Sequence, residues 1–521
     1  MLSKLGRKYT GTSVPRTGSC IIYRHESKYC VGFVHGLESG SALLAVSKLL
    51  TWSDLFAPPV PKSIADSPVL FWDSENEMGV RIPCKNVLRF SVPLKFSVPP
   101  EGKISGKTLY CFLCVFPSKK DLRFTSLEKH PLTFEKFFRM RKKVQSIRSL
   151  DLFSGAGLMS CGIDMVPNAE SVAAVEIDHN ACKTFRFNFP KAKLFEGDVK
   201  DFLEGKLIAT GCELTSAEFL KDGYNINMVC GGSPCQPFSA MTPTNLRDVR
   251  IGPLNLFCDV VERVRPQLVV HENVPNFMNP SSPFSSPILT LVYRMVRLGY
   301  QFQVYNVCMA HHGVPQRRHR NFFLAATADT VLPEFPKAEF SYEKTTWPCF
   351  VYEFYGGTIS DNGSEKRKRC PTSSEATADL AKIKPAAAGT SWDKPVKYNA
   401  SKKRSMYQIR SRKKRRLSDT QSKKVYNHVG NKISQTSLKQ HKILDPDEPF
   451  CTILTAPTPF GAGTLNPLTR VPRVWTPREF LRAQGVPDWF VLTCGITAAN
   501  RQVGNGVSSL FMSKLVKKIV M

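Results

Sequence analysis

The chain has 521 residues, 42% of them hydrophobic and 22% charged, with 72 Lys and Arg against 43 Asp and Glu. That length and apolar content exclude an intrinsically disordered chain and allow two or three domains with a sizeable core. The formal charge of +29 points to a polyanionic partner, nucleic acid first and a membrane surface as its competitor, because charge speaks to association rather than to fold.

Residues 1–10 are polar and basic, and no run of about 18 apolar residues occurs, so the expectation is a soluble, intracellular chain with no membrane partner. Residues 16–128 alternate apolar and polar positions in short stretches (19–23, 29–34, 87–92 and 109–116) broken by Pro and Gly, a strand pattern. The 16 cysteines are scattered, and Cys111 with Cys114 is the only close pair. A zinc site usually needs two such pairs, so strand packing accounts for both thiols and no metal is expected. Residues 132–144, with Phe134, Phe137, Phe138 and Met140 among basic side chains, read as a short linking helix. From 147 to 330, short apolar runs alternate with helical segments, which predicts an α/β fold with a doubly wound, mostly parallel sheet. Residues 361–442 then hold 22 Lys and Arg against 6 Asp and Glu. Such a basic insert is a solvated loop, a phosphate-neutralising segment or a nuclear-import signal.

The chemistry-bearing motifs lie at the ends of the apolar runs. Residues 149–153 lead into Asp151-Leu152-Phe153-Ser154-Gly155-Ala156-Gly157 and then an apolar segment, a strand, glycine turn and helix. Glu176 follows about 20 residues beyond those glycines, where dinucleotide folds bind ribose hydroxyls, and Asp198 in Glu196-Gly197-Asp198-Val199 suits an adenine amino group. Gly232-Ser233-Pro234-Cys235-Gln236-Pro237-Phe238 presents a cysteine on a stiff loop after the run 226–230, which makes Cys235 the candidate nucleophile. Glu272-Asn273-Val274 ends the run 267–270, and Gln316-Arg317-Arg318-His319-Arg320 follows a turn at Gly313-Val314-Pro315. Guanidiniums beside a thiol lower its pKa and favour the thiolate. The polar segment 238–248 reads as a mobile loop over the site.

With Gln502-Val503-Gly504-Asn505-Gly506-Val507, at least five motifs stand in the order of the DNA cytosine-5-methyltransferase family, which residues 147–515 resemble. The resemblance implies S-adenosyl-L-methionine as cofactor and a Rossmann-like methyltransferase fold. It assigns Phe153 to adenine packing, Ser154, Gly155 and Gly157 to the methionine end, Glu176 to ribose and Asp198 to adenine. Ile177 and Pro234 join that cofactor-binding set, and Asn505 and Val507 close the pocket from the C-terminal side. It further implies that Cys235 adds to carbon 6 of cytosine, that Glu272 hydrogen-bonds ring nitrogen 3, and that Arg318 and Arg320 bind the base carbonyl and backbone. The base must be turned out of the duplex. Three positions depart from the family pattern: Leu158 replaces a frequent third glycine, Ser508 a proline and Asn466 a histidine.

The implied domains are a BAH-like chromatin-binding module at 16–128, the catalytic methyltransferase core at 145–335, a target-recognition domain with the basic insert at 336–468, and a return to the core at 469–521. The first of these rests on Pro68-Val69-Leu70-Phe71-Trp72, residues 81–87 and Tyr110-Cys111-Phe112-Leu113, which resemble the bromo-adjacent homology domain. Tyr23, Trp52, Phe71 and Trp72 are candidates for a methyl-lysine cage, although aromatic residues in a small β domain are more often core. Residues 450–457 and 501–505 look most like the maintenance and chromomethylase branch. The expected partners are double-stranded DNA and a histone tail or other chromatin protein, and the expected location is the nucleus. Two alternatives stay open: the same chemistry on transfer RNA, and a catalytically silent chromatin-binding protein, against which the intact Cys235, Glu272, Arg318 and Arg320 argue.

Overall fold

The computed structural model describes residues 7–8, 20–25, 28–37, 43–50, 69–73, 80–83, 87–90, 94–95, 109–117, 122–126, 142–234, 252–278, 287–327, 330–333, 335–341, 359–360, 368–381, 444–457, 465–466, 468 and 473–520. Cys235, the loop 238–248, Trp52, most of the expected linking helix and residues 361–367 and 382–442 of the basic insert lie outside the described residues.

The alternating N-terminal stretches form a ten-stranded sheet from Arg7–Lys8 to Leu122–Ser126, antiparallel except where Leu109–Pro117 runs parallel to Val69–Asp73 and Leu94–Lys95. The strand Cys20–His25 and its neighbour Lys28–Leu37 place Ile21, Ile22, Tyr23, Val31 and Val34 in a core with no solvent exposure. Tyr23 is therefore a core residue. Cys111 and Cys114 both lie in the strand Leu109–Pro117, and no cluster of three or more metal-binding side chains occurs among the described residues.

The second sheet has eight strands: β1 Ile147–Leu152, β2 Ala169–Glu176, β3 Lys193–Glu196, β4 Met228–Gly231, β5 Leu268–Asn273, β6 Tyr300–Cys308, β7 His319–Thr327 and β8 Ile359–Ser360. Their order is β3-β2-β1-β4-β5-β7-β6-β8. The five strands from β3 to β5 are parallel, and β7 is antiparallel to both β5 and β6. The order reverses at β1, and in open α/β sheets ligands bind beyond the carboxyl ends of the strands at such a switch point.

Side-chain alternation along the strands builds two cores. Leu150, Leu152, Val229 and Val269 face a layer with Phe257, Val261 and Leu291 from α5 (Gly252–Val264) and α6 (Pro287–Arg297). Ile147, Met228, Cys230, Leu268 and Val270 face Met159 and Ile163 of α1 (Leu158–Asp164) and Phe511, Met512, Leu515 and Val516 of α10 (Ser509–Val520). These runs are apolar throughout because both faces are covered.

The C-terminal helix α10 thus packs on the same layer as α1. Residues given to the recognition domain also join the core: β8 extends the sheet beside β6, and Arg482 of α8 (Pro477–Ala483) pairs with Asp379 of α7 (Ser373–Ala381).

Gly162 sets the distance between α1 and α10. A Cβ there would stand 2.5 Å from the Ser509 carbonyl oxygen and 2.7 Å from Met512 Cβ. Overpacking of this kind costs about 1–3 kcal/mol. Gly162→Ala should lower the urea midpoint by a corresponding amount, and an unchanged midpoint would show that α10 does not seat this closely.

Candidate active site

The loops at the carboxyl ends of β1, β2, β3, β4 and β5 open onto one cavity of about 500 Å³, a size usual for small-molecule sites. Phe153, Ser154, Gly155, Glu176, Ile177, Asp198, Pro234, Glu272, Arg318, Arg320, Asn505 and Val507 all line it. Of the described candidates, Gly157 alone does not. It adopts a left-handed φ of 87° as N-cap of α1, and a Cβ there would meet Phe189 at 2.5 Å and Phe185 at 2.7 Å. There it makes a tight turn packed on aromatic rings.

The turn after β1 is shaped for a ligand. Phe153 holds φ 55°, a strained conformation for an aromatic residue. Gly155 N–H donates to Glu176 Oε2 at 2.7 Å and Asp178 N–H donates to Glu176 Oε1 at 2.7 Å, so two backbone donors fix the carboxylate at the end of β2. Burial nevertheless raises the Glu176 carboxyl above its ordinary value. Asp198 caps α3 (Val199–Leu203) by accepting from Lys200 N–H at 2.7 Å.

Across the cavity, β5 delivers Glu272 and β7 delivers Arg320, with Arg320 Nε 2.9 Å from Glu272 Oε1. Burial pushes the Glu272 carboxyl up while Arg320 and then Arg318 pull it down, and burial wins. Gly232, on the loop after β4, lies close by: a Cβ there would stand 3.1 Å from Glu272 Oε2. That loop is fixed by Ser233, whose hydroxyl lies 3.0 Å from His271 Nε2 and whose carbonyl accepts from Asn273 Nδ2 at 3.1 Å. Burial drives His271 down to about 3, so the ring is neutral at physiological pH. These contacts hold the loop up to Pro234, the residue before Cys235 in sequence.

Arg318 is 1% exposed, and its Nη2 donates to the carbonyls of Gly504 at 3.0 Å and Gly506 at 2.9 Å. It therefore ties the arginine motif to the end of α9 (Ile496–Asn505) as well as lining the cavity. Its neighbours are stitched likewise: Gln316 Nε2 donates to Ala483 O at 3.2 Å, and Ile453 N–H donates to Gln316 Oε1 at 3.2 Å. Arg317 N–H donates to Phe450 O at 2.7 Å and Thr452 Oγ1 donates to Arg317 O at 2.7 Å, so residues 450–453 run along the motif.

The three departures have structural partners. Leu158 is packed where a Cβ on Gly506 would meet it, Ser508 Oγ donates to Gln484 O at 2.8 Å, and Asn466 Nδ2 donates at 2.8 Å to Glu479, the capping-box acid of α8.

The family of C-5 cytosine-specific DNA methylases matches residues 147–521. The chain belongs to this family. Over 200 residues it is 34% identical to the DNA (cytosine-5)-methyltransferase 1 of Gallus gallus, covering 37% of this chain and 13% of that one. Its matched segment is thus about an eighth of the length of that relative. It is 24% identical over 387 residues to the type II methyltransferase M.Sau96I of Staphylococcus aureus, covering 73% of this chain and 77% of the relative. A crystal structure of the S. pombe Dnmt2 methyltransferase aligns at 18% identity and a TM-score of 0.43, covering 72% of this chain and 98% of that one.

The family implies S-adenosyl-L-methionine, and the residues fit it. The cavity carries a fixed carboxylate at β2 for a diol, and the buried Ser154 hydroxyl has no hydrogen-bond partner among the described residues.

Asp151 is a cavity residue that the motif reading passed over as part of a strand end. It is 1% exposed and accepts from Ser160 Oγ at 2.7 Å. Burial lifts its carboxyl to about 7; the Ser160 donation opposes this and Glu176 adds to it. Between the ordinary 3.8 and about 7 the folded state holds the extra proton, so this group's contribution to stability falls as pH rises, by at most about 1.4 kcal/mol per pH unit. In the cofactor-free protein, Asp151→Asn should therefore gain stability relative to wild type as pH rises through that window. Chemical denaturation across it checks this, and a flat difference would mean that Asp151 is ionised throughout.

Proposed function

We propose that the chain is an S-adenosyl-L-methionine-dependent DNA (cytosine-5)-methyltransferase acting on a cytosine turned out of double-stranded DNA. The observation that carries this reading is the meeting, in one cavity, of the fixed carboxylate Glu176 with the Glu272 and Arg320 pair, beside the loop that leads from Pro234 into Cys235. The relatives' names, which speak of DNA (cytosine-5)-methyltransferase activity, support it.

On this reading Ser154, Gly155, Glu176, Ile177, Asp198, Asn505 and Val507 hold the cofactor, with Phe153 against the adenine. When bound, the cofactor supplies an electrophilic methyl group. Cytosine carbon 5 becomes nucleophilic once the Cys235 thiolate has added to carbon 6. Charge then builds at ring nitrogen 3, where Glu272 supplies the stabilising hydrogen bond. A carboxyl whose burial raises its proton affinity suits that task, and Arg320 orients it. Once carbon 5 has taken the methyl group, with S-adenosylhomocysteine as the other product, loss of the carbon-5 proton to water and elimination of Cys235 would complete the cycle and regenerate the thiolate. Arg318 acts mainly by holding Gly504 and Gly506, which makes it a positioning residue.

The remaining features support a chromatin setting. The N-terminal sheet is compatible with a BAH-like module that contacts a histone tail or another chromatin protein. The basic insert at 361–442 suits phosphate contacts or import into the nucleus, and residues 450–457 and 501–505 favour the maintenance and chromomethylase branch.

A duplex carrying 5-fluorocytosine tests the chemistry, because fluorine blocks the final proton loss. Incubation with S-adenosyl-L-methionine should give a covalent adduct on a denaturing gel, and Cys235→Ala should abolish it. An adduct with similarly substituted RNA and none with DNA would transfer the assignment to transfer RNA.

A further inference from the structure

The strand β5 ends in three buried polar residues, His271, Glu272 and Asn273. Successive side chains of a strand face opposite sides of the sheet. Glu272 accordingly turns to Arg320, while His271 and Asn273 share the face of Val269, beneath α5. The imidazole of His271 stands between two rings, Phe257 of α5 with its centroid 4.9 Å away and Phe277 at 5.2 Å. It does not line the cavity. A ring whose task was to fill this space would be apolar, because a polar one there loses its hydration. The nitrogen is therefore what the position uses, and its partner is the Ser233 hydroxyl, 3.0 Å from Nε2.

The direction of that hydrogen bond follows from Asn273. Its Nδ2 donates to Ser233 O at 3.1 Å and to Ser233 Oγ at 3.4 Å, which leaves the hydroxyl to donate its own proton to His271. The imidazole then accepts at Nε2 and carries its hydrogen on Nδ1. Burial keeps the ring neutral, the form able to accept. Ser233 also lines the cavity, yet its hydroxyl is engaged with these two side chains.

The loop so held leads in sequence to Cys235. Its first residue, Gly232, lies against the acid: a Cβ there would stand 3.1 Å from Glu272 Oε2. One strand end thus carries Glu272 directly and grips the Cys235 loop through the residues on either side of Glu272. That strand lies inside the sheet, between β4 and β7, so it is a rigid reference for both. We infer that His271 is a positioning residue, which through Ser233 fixes the loop preceding Cys235 at a set place relative to Glu272. This rests on the reading of Cys235 and Glu272 as the residues that activate cytosine. His271 acts on the rate of addition to the base and not on the binding of cofactor.

The test is the rate at which the full chain forms the covalent adduct with a 5-fluorocytosine duplex, followed as S-adenosyl-L-methionine is varied to saturation. His271→Phe keeps a ring and removes the acceptor. It should slow the saturated rate about tenfold to a hundredfold, the usual consequence of a small misplacement of a reacting group, and leave the half-saturating cofactor concentration within about threefold. His271→Gln, whose amide oxygen can accept in place of Nε2, should recover most of the rate. Ser233→Ala removes the same hydrogen bond from its other side and keeps the test open should His271→Phe fold poorly. It should slow the reaction to a similar degree, and the double variant should be no slower than either single one, because both lose one interaction. An unchanged saturated rate, a defect confined to the half-saturating cofactor concentration, slowing that His271→Gln does not relieve, or additive losses in the double variant would each overturn the inference. Absence of any adduct with the wild-type protein would instead overturn the methyltransferase reading, and the inference with it, so the two failures are distinct.

Discussion

The buried guanidinium of Arg318, donating to the carbonyls of Gly504 and Gly506, is the contact on which the site depends. Those carbonyls belong to the end of α9 and the turn after it, where α9 can offer them no further amide donors. A side chain from the start of β7 satisfies them. Because of this, a segment 186 residues away in sequence lies over the switch point of the sheet, and the cavity acquires a wall that the first eight strands cannot provide. Gln484 Nε2 reinforces the same place by donating to Val503 O and Gly506 O, and Ser509 Oγ donates to Leu158 O at the opposite rim. The arginine motif and the closing segment are thus one polar assembly, buried in an otherwise apolar interior. In such surroundings every bond made is strong and every bond lost leaves a costly orphan.

Burial also sets the electrostatics. A guanidinium as deeply placed as Arg318 needs a countercharge, and Glu272 provides it, shared with Arg320. One carboxyl thus faces two guanidiniums. Desolvation raises the carboxyls of Asp151, Glu176 and Glu272, which all line the cavity. Perturbed groups gathered around one cleft are what a functional site requires.

The parts of this arrangement that were legible in the sequence are local. Apolar runs at 149–153, 226–230 and 267–270 mark β1, β4 and β5 to within a few residues, since a strand covered on both faces must be apolar throughout. Residues such as Ser154, Glu176, Glu272 and Arg320 stand immediately at strand ends, where a motif shows them. The rest depends on contacts between distant segments, about which periodicity is silent. Gly157 belongs to the same glycine motif as Gly155, yet only the positions of Phe185 and Phe189 reveal it as a packing residue. Nothing near Arg318 in sequence announces Gly504, and Asp151 reads as an ordinary strand residue until its burial is known. Residues 450–453 looked like part of a recognition domain, and it is their pairing with Pro315, Gln316 and Arg317 that makes them a support for the arginine motif.

Arg318 ties the closing wall of the cavity to the start of β7, and Arg318→Lys examines that link directly. Lysine keeps the charge but its ammonium sits on a shorter side chain and falls short of the position from which Arg318 Nη2 donates to both carbonyls, and an unsatisfied buried carbonyl costs about 1–3 kcal/mol. Calorimetric titration of S-adenosylhomocysteine into this variant, without any nucleic acid present, should show affinity reduced by roughly tenfold or more. An affinity equal to that of the wild-type protein would contradict the claim that Arg318 holds the closing wall of the cavity in place.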